Sequence, residues 1–511
     1  MRQFSFVEEN RTSNERKISI DAKRVRVYFS QLVVFFFLVG LVKPTSTWSA
    51  DRSGDGLVVL YDFRLAKGGM RFTNAYLTIS SCSPSRASII TSTYPHQTDA
   101  EQLHWPLPAD RLTFVELLKA SGYWTAAAGK WHLGNAVKDR FDEIREASVS
   151  GFQIPTGEAA KAGKIVQNVT GDARSGCDQW VPLLKARPGD KPFFLWLAAL
   201  DPHRDYDEGI LKQPHKPGDV RLPPYVADTP KSRLDYALYY DEITRLDRFV
   251  GGVMAELKEQ NVADNTFVLF ISDNGRPFPR DKTTLYDSGI KTPFIVHWPG
   301  RIAAGSQCNS LVSSIDIAPT FLEMAALSTP KVFEGRSFLP LLRNPQKSIR
   351  DYVFAERNWH DYEDRVRAVR NSRFKYIRNF YDDLPNTPPA DVVRSVAYRE
   401  MIRLRDEGRL VDAQKNTFIQ PRAKEELYDT QSDPFELKNL ASDPAQAKQL
   451  KRFRHTLTKW QKETGDYEPK FRTLDEFGRE NGQALPVRER PRPDKVEMTK
   501  RLEKHYLKQA K

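Results

Sequence analysis

Several polar clusters in this 511-residue sequence begin where an apolar run of strand length stops. Trp124 to Ala128 leads into Gly129-Lys130-Trp131-His132, Phe193 to Leu200 into Asp201-Pro202-His203-Arg204, and Phe267 to Ser272 into Asp273-Asn274-Gly275. In open α/β sheets the ligand crevice lies outside the carboxyl ends of the strands, so three such ends direct their side chains to a common place. Asp beside Asn offers hard oxygen donors suited to Ca²⁺ or Mg²⁺. Lys, Arg and His together suit an oxyanion. Taken singly each cluster has a plainer reading, since Asp-Asn-Gly is a good turn sequence and Gly before Lys simply closes a strand. The coincidence at three strand ends is what points to a site. Separately, Cys82-Ser83-Pro84-Ser85-Arg86 sets a thiol four residues before an arginine, either as chemistry or as a buried cysteine ahead of a helix.

The elements that must position these residues follow the same alternation. Leu57 to Tyr61 and Phe294 to Trp298 are further apolar runs bounded by Gly, Pro and Asp, which suits strands buried on both faces. Leu112 to Ser121 and Tyr236 to Glu259 carry apolar residues at helical spacing. The expected fold is α/β, a large mixed, mostly parallel sheet flanked by helices. From about residue 350 the pattern changes to short β-leaning pieces, Tyr352 to Ala355 and Phe374 to Ile377, with a turn signal at 429–434. A smaller C-terminal α+β unit is expected over 350–485, after a catalytic unit over 51–349. A basic tail at 486–511 has too few apolar residues to pack.

Lys and Arg outnumber Asp and Glu by 78 to 66, a formal charge of +12, which favours an anionic partner. Three cysteines are too few, and odd in number, for a disulfide framework. Lys23, Arg24 and Arg26 precede the apolar run Leu32 to Val42, and Thr47, Ser49 and Ala50 follow, which is the order of an export signal. That run is shorter than the twenty or so residues that span a bilayer, so residues 1–50 are expected to be a leader and extension rather than a stable membrane insertion. An exported, periplasmic or lysosome-like location follows. Nucleic acid is the least expected partner, because no basic-aromatic recognition motif is present.

Cys82-Ser83-Pro84-Ser85-Arg86 resembles the C-x-P-S-R signature of the formylglycine-dependent sulfatases, in which a maturation enzyme oxidises the cysteine to an aldehyde. Arg71-Phe72-Thr73-Asn74-Ala75-Tyr76, Gly129-Lys130-Trp131-His132-Leu133-Gly134, Ser272-Asp273-Asn274-Gly275 and the run 294–300 resemble that family in its order. Asp201-Pro202-His203-Arg204, the run 273–279 and Glu426-Leu427-Tyr428-Asp429 look most like its heparan N-sulfatase branch. The resemblance implies an alkaline-phosphatase-like fold, and a formylglycine at position 82 whose hydrate attacks sulfur. It further implies one Ca²⁺ per chain, with Mg²⁺ as the alternative, held by Asp273, Asn274 and the modified Cys82. Arg86 and Lys130 are then expected to hold the nucleophile in its reactive state, His132 to take the proton during sulfate release, and His203 and Lys282 to grip the sulfate, with His203 as donor to the leaving group. Arg204 and His360 are substrate-contact candidates, a structural salt bridge being the other reading of Arg204. The implied partners are a sulfated glycan or small sulfated substrate, and the formylglycine-generating enzyme.

The chain departs from the family at its start. A strand ending in two adjacent acids normally completes the metal site, whereas Leu57 to Tyr61 is followed by the single Asp62 and runs almost at once into Gly69-Met70-Arg71-Phe72. With Asp62 as the only substitute, a cation preferring six to eight oxygens is thinly served. Two other readings therefore stay open here: a phosphate or phosphonate monoester hydrolase of the same fold, and a sulfated-glycan-binding protein with impaired catalysis.

Overall fold

In a computed structural model of the chain, residues 31–36, 64–147, 171–469 and 472–486 are described. Their frame is an eight-stranded sheet of β1 (Gln31–Phe36), β2 (Met70–Phe72), β4 (Trp124–Gly129), β5 (Glu143–Glu146), β6 (Phe193–Ala198), β7 (Thr266–Ile271), β8 (Phe294–His297) and β9 (Ser306–Cys308), in the order β5-β4-β6-β1-β7-β8-β2-β9. The five strands from β5 to β7 run parallel, β8 is antiparallel to both neighbours, and β2 pairs in parallel with β9. Two short strands, β3 (Ala75–Tyr76) and β10 (Val312–Ser313), pair beside it.

The continuous apolar runs have the expected cause. β4, β6 and β7 are buried at every position, and successive residues go to opposite faces. Phe194, Trp196, Phe267, Leu269 and Ile271 join Phe114 and Phe321 on one side. Phe193, Leu195, Leu197, Val268 and Phe270 meet Trp180, Tyr239, Ile243 and Leu246 on the other. The helix expected at Tyr236 to Glu259 begins earlier, at Pro230, because Thr229 caps it: its hydroxyl accepts the Ser232 amide at 3.1 Å, and proline occupies the first turn, where no amide is needed.

The first strand differs from expectation. Gln31–Phe36, read in the sequence as the start of a leader's apolar core, pairs in parallel with β6 on one side and β7 on the other. The strand expected at Leu57 to Tyr61 lies outside the described residues, as do Asp62 and the tail at 487–511. A slot between two central parallel strands demands an unbroken apolar run, and Leu32 to Phe36 meets that demand as well as Leu57 to Tyr61 does. Hydrophobicity alone does not separate a leader core from a doubly buried strand.

A third sheet of β11 (Val353–Arg357), β12 (Val366–Arg370), β13 (Phe374–Asn379) and β14 (Glu425–Asp429) is antiparallel throughout. Val353, Ala355, Val366, Ala368 and Ile377 pack on Tyr76, Leu285, Tyr286 and Ile290. Val369, Tyr376 and Leu427 receive Leu450, Phe453, Leu457 and Trp460 of the helix Ala447–Thr464 on the opposite face. Cys82, Cys177 and Cys308 are all free and buried, so no disulfide shapes the fold.

Gly129 ends β4 with φ +91°, and a Cβ there would lie 1.9 Å from the Ala198 carbonyl oxygen on β6. Two backbones thus meet at the strand ends where the polar clusters begin. Gly129→Ala is expected to cost on the order of 3 kcal/mol, from strain and overlap with immovable backbone together. Chemical denaturation of the variant checks this.

Candidate active site

Cys82 opens the helix Cys82–Thr91, every residue of which is buried. Helix N-termini attract anions through their unbonded amides and the aligned peptide dipoles. The segment before it is laced to two other loops through Ser80: its hydroxyl accepts the Gly275 amide at 3.0 Å and the Thr283 amide at 3.2 Å, and its carbonyl accepts the Thr283 amide at 2.9 Å. This stitch sets Asp273-Asn274 and Lys282 beside position 82. Gly275 is required there, since a Cβ would meet the Gly289 backbone at 2.8 Å.

The polar side chains converge as expected. The Cys82 thiol donates to Asn274 Oδ1 at 3.0 Å. Asn274 Nδ2 is tied to the Gly275 carbonyl at 2.8 Å, which turns the amide oxygen toward position 82. One turn along the helix, Arg86 donates through Nε to Asp273 Oδ2 at 2.7 Å and through Nη1 to the Lys130 carbonyl at 2.6 Å. Arg86, Lys130, His203, Asp273, Asn274 and Lys282 line one partly open cleft. The loop that returns Lys282 to it is built around Arg276, which meets Asp281 at 2.9 Å and donates to the Tyr225 hydroxyl at 2.9 Å, while Phe278 stacks on Tyr236.

His203 Nδ1 lies 2.6 Å from the Arg204 carbonyl, which can only accept. Nδ1 therefore carries the hydrogen, and Nε2 is the lone pair that receives the Lys282 ammonium at 3.3 Å. Lys282 also donates to Asp391 Oδ2 at 3.4 Å, and the same oxygen stands 3.7 Å from His203 Nε2. Burial, then the Lys282 charge, push His203 down to about 3. Burial would lower Lys282, but Asp391 outweighs it and holds the ammonium above its usual range. Burial would likewise raise Asp391, but Lys282 and His203 keep its carboxyl well below the usual carboxylate range. Burial, then His104 and Lys130, hold His132 well below the usual imidazole range. Asp273 is held low because Arg86 and Lys130 override its burial. The resting cleft thus pairs ammonium and guanidinium groups with neutral imidazoles, a setting for an anion with proton acceptors at hand.

Two expected substrate contacts are otherwise engaged. Arg204 is buried, gripping Asp235 with two bonds of 2.7 and 2.8 Å and donating to the Pro277 carbonyl at 2.8 Å, the arrangement of a structural salt bridge. His360 is also buried, with Nδ1 3.1 Å from the Ser81 hydroxyl at the cap of the Cys82 helix. Asp201, at the end of β6, is spent on Arg245 at 2.6 and 2.7 Å.

Asp391 and His104 were missed in the sequence. Asp391 lies among short polar and proline-rich pieces with no motif of its own, 109 positions from Lys282. His104 Nδ1 sits 2.7 Å from His132 Nε2, and its backbone amide donates to the Ser83 hydroxyl at 2.8 Å. Only its place twenty-two residues after Cys82 could have singled it out.

The donors beside Cys82, the Asp273 carboxylate and the Asn274 amide oxygen, match a hard divalent cation in kind. In number they fall short of six, and among the described residues the one cluster of three metal-ligand types lies elsewhere, at His96, Glu356 and Asp466. That cluster is an ion-pair knot: His96 Nδ1 is 3.0 Å from Glu356, its Nε2 is 3.3 Å from the Thr464 carbonyl, and Arg367 donates to Asp466 at 2.8 and 2.9 Å.

Comparison with known proteins gives a consistent result. The sulfatase family profile matches residues 60–327, and the profile of the N-sulphoglucosamine sulphohydrolase C-terminal region matches residues 278–389. An ulvan-active sulfatase of Formosa agariphila is 31% identical over 438 residues, covering 81% of this chain and 72% of its own. Human N-sulphoglucosamine sulphohydrolase is 30% identical over 442 residues, covering 79% and 85%. Among solved structures, a putative sulfatase from Bacteroides thetaiotaomicron shares the fold with a TM-score of 0.63 at 21% identity over 88% of this chain and 95% of its own. The phosphonate monoester hydrolase of Agrobacterium radiobacter does so at 0.59 and 17% identity, over 85% and 96%.

Unfolded histidines titrate near 6.5, whereas His203 in the fold takes a proton only near 3. Between these values the unfolded state binds more protons, so the His203 share of stability is complete above about pH 6.5 and is lost as pH falls toward 3. His203→Gln removes this dependence. Its melting temperature relative to wild type is expected to rise as pH drops from 7 to 4, and a difference independent of pH would argue against a neutral His203.

Proposed function

The chain belongs to the sulfatase family and is a hydrolase of sulfuric esters or sulfamates, and on that premise we propose that it desulfates a glycan through a formylglycine made from Cys82, with Ca²⁺ bound beside it. The observation that carries the proposal is that Arg86, Asp273, Asn274, Lys130, His203 and Lys282 line one cleft while Asn274 accepts from the Cys82 thiol and Arg86 joins the Cys82 helix to Asp273. A glycan substrate is supported by relatives named for ulvan and for N-sulphoglucosamine. Cys82 is 1% exposed, so we assign its oxidation to a maturation enzyme acting before the chain folds.

As a hydrated aldehyde, position 82 supplies two hydroxyls on one carbon, one to attack sulfur and one whose proton loss expels sulfate with the aldehyde restored. A bound Ca²⁺ supplies polarisation of the sulfate oxygens. Asp273 and Asn274 would hold the cation, with Asp62 as a further carboxylate and substrate and water oxygens filling the rest. The remaining work belongs to the cleft. Arg86 and Lys130 hold negative charge at position 82, and the Cys82 helix terminus adds its amides. Neutral His132 takes the hydroxyl proton as sulfate leaves, with His104 fixing its ring. Lys282 binds a sulfate oxygen. Asp391 keeps Lys282 charged and near His203, and an arriving anion favours protonation of His203 Nε2, which then protonates the departing alcohol or amine.

Sulfatases are typically exported or lysosomal, and we propose the same for this chain, with Gln31–Phe36 kept as a strand of the central sheet rather than removed as part of a leader. No helix among the described residues is long and apolar enough to cross a membrane.

The test is side-by-side hydrolysis of an aryl sulfate, N-sulfated glucosamine and an aryl phosphate by the matured chain. Sulfate or sulfamate turnover is expected to exceed phosphate turnover, and to fall at least about a hundredfold on chelation and return with Ca²⁺. Preference for phosphate, or activity indifferent to chelation, would contradict the proposal.

A further inference from the structure

The helix Ala447–Thr464 turns one side into the core and leaves the other to water. Leu450, Phe453, Leu457 and Trp460 are buried on the β11–β14 sheet. On the outer side Lys448, Arg452, His455, Lys459 and Lys462 are all exposed and recur at alternating intervals of four and three, which sets them in one row, with Lys451 alongside. At 1.5 Å per residue the row is about 21 Å long. The helix carries one acid, Glu463, whose exposed contact with Lys459 is 3.7 Å. Among the described residues no carboxylate lies in ion-pair contact with Lys448, Lys451, His455 or Lys462.

The row is adverse to the helix that bears it. Like charges three and four apart destabilise a helix by a few tenths of a kcal/mol per pair. Lys448 sits in the first turn, facing the positive end of the helix dipole, and no acid accompanies it there. The compensation is slight: Arg452 lies over the Tyr352 ring at 5.7 Å, Lys459 meets Glu463, and Lys462 sits in the last turn. Charge of one sign, regularly spaced over several turns and outside any pocket, suits a long flexible polyanion rather than a single small ion.

We propose that this face of the Ala447–Thr464 helix docks a second stretch of the sulfated polysaccharide whose residues the cleft desulfates. The inference rests on the glycan substrate proposed above. A membrane surface is disfavoured because the helix's apolar side is already buried, leaving none to enter an interface. Single-stranded nucleic acid is disfavoured because the exposed face carries no aromatic side chain on which bases stack. Docking acts by effective concentration: the tethered polymer meets the cleft more often, so KM for polymer falls while turnover of a small sulfate is untouched.

The test is the full matured chain with Lys448, Arg452, Lys459 and Lys462 each changed to Gln, which keeps helix propensity. A control changes Lys212, Lys258, Lys331 and Lys347 to Gln, removing equal charge from exposed positions elsewhere. The row variant is expected to melt no lower than wild type, to keep its aryl sulfate kcat/KM, to leave immobilised heparin at clearly lower salt, and to raise KM for a sulfated polysaccharide about tenfold. The control is expected to shift elution and polymer KM much less. Equal shifts in both variants, or none in either, overturn the proposal, as does a larger loss of binding to phosphatidylserine vesicles or DNA than to heparin. If the chain hydrolyses neither substrate, the glycan hydrolase reading fails, while heparin elution still decides whether the row binds.

Discussion

Arg86 and Asp273 meet at 2.7 Å with their side chains 2% and 13% exposed, and the rest of the cleft is arranged around that pair. Arg86 belongs to the helix that Cys82 begins, and Asp273 follows the end of β7, so one contact fixes the Cys82 helix to the sheet. A buried ion pair adds little net stability, yet removing one partner typically costs about 3–5 kcal/mol because the other is left uncompensated. Lys130 is drawn in by its carbonyl, which accepts from Arg86. The pair therefore couples the geometry of β4, β7 and the Cys82 helix, and a shift in any of them would be felt at position 82.

A second feature follows from crowding so many cations together. Arg86, Lys130 and Lys282 surround a cleft whose lining acids are Asp273 and the Arg245-bound Asp201, with Asp391 against Lys282, and burial and these cations disfavour protonation of His132 and His203. Such an arrangement is unfavourable when empty and is relieved by a bound anion. The same surplus favours anionic over neutral ligands. Asp391 limits the surplus at one end, and it comes from the C-terminal part of the chain. The unit that covers the large sheet thus takes part in setting the electrostatics of the cleft.

Most of this architecture was legible where local sequence and tertiary demand coincide. β4, β6 and β7 read correctly because doubly buried strands need unbroken apolar runs, and each was followed by the cluster the cleft uses. Less legible are the contacts that depend on a distant partner. Arg204 follows a site histidine, but Asp235, 31 positions on, claims it. His360 serves Ser81 across 279 positions, and Asp391 reaches Lys282 across 109. Gln31–Phe36 shows the opposite limit: its composition suited two destinations, and hydrophobicity carries no information about which neighbours a strand will find.

The central claim is that Cys82 is a nucleophile's precursor rather than a buried thiol at a helix start. Mass spectrometry of the peptide holding Cys82, from protein purified out of its own host, tests that claim most directly. Conversion to the aldehyde lowers the peptide mass by about 18 Da, and that loss is the expected result. An intact thiol at position 82, in a host whose other sulfatases carry the aldehyde, would contradict the account.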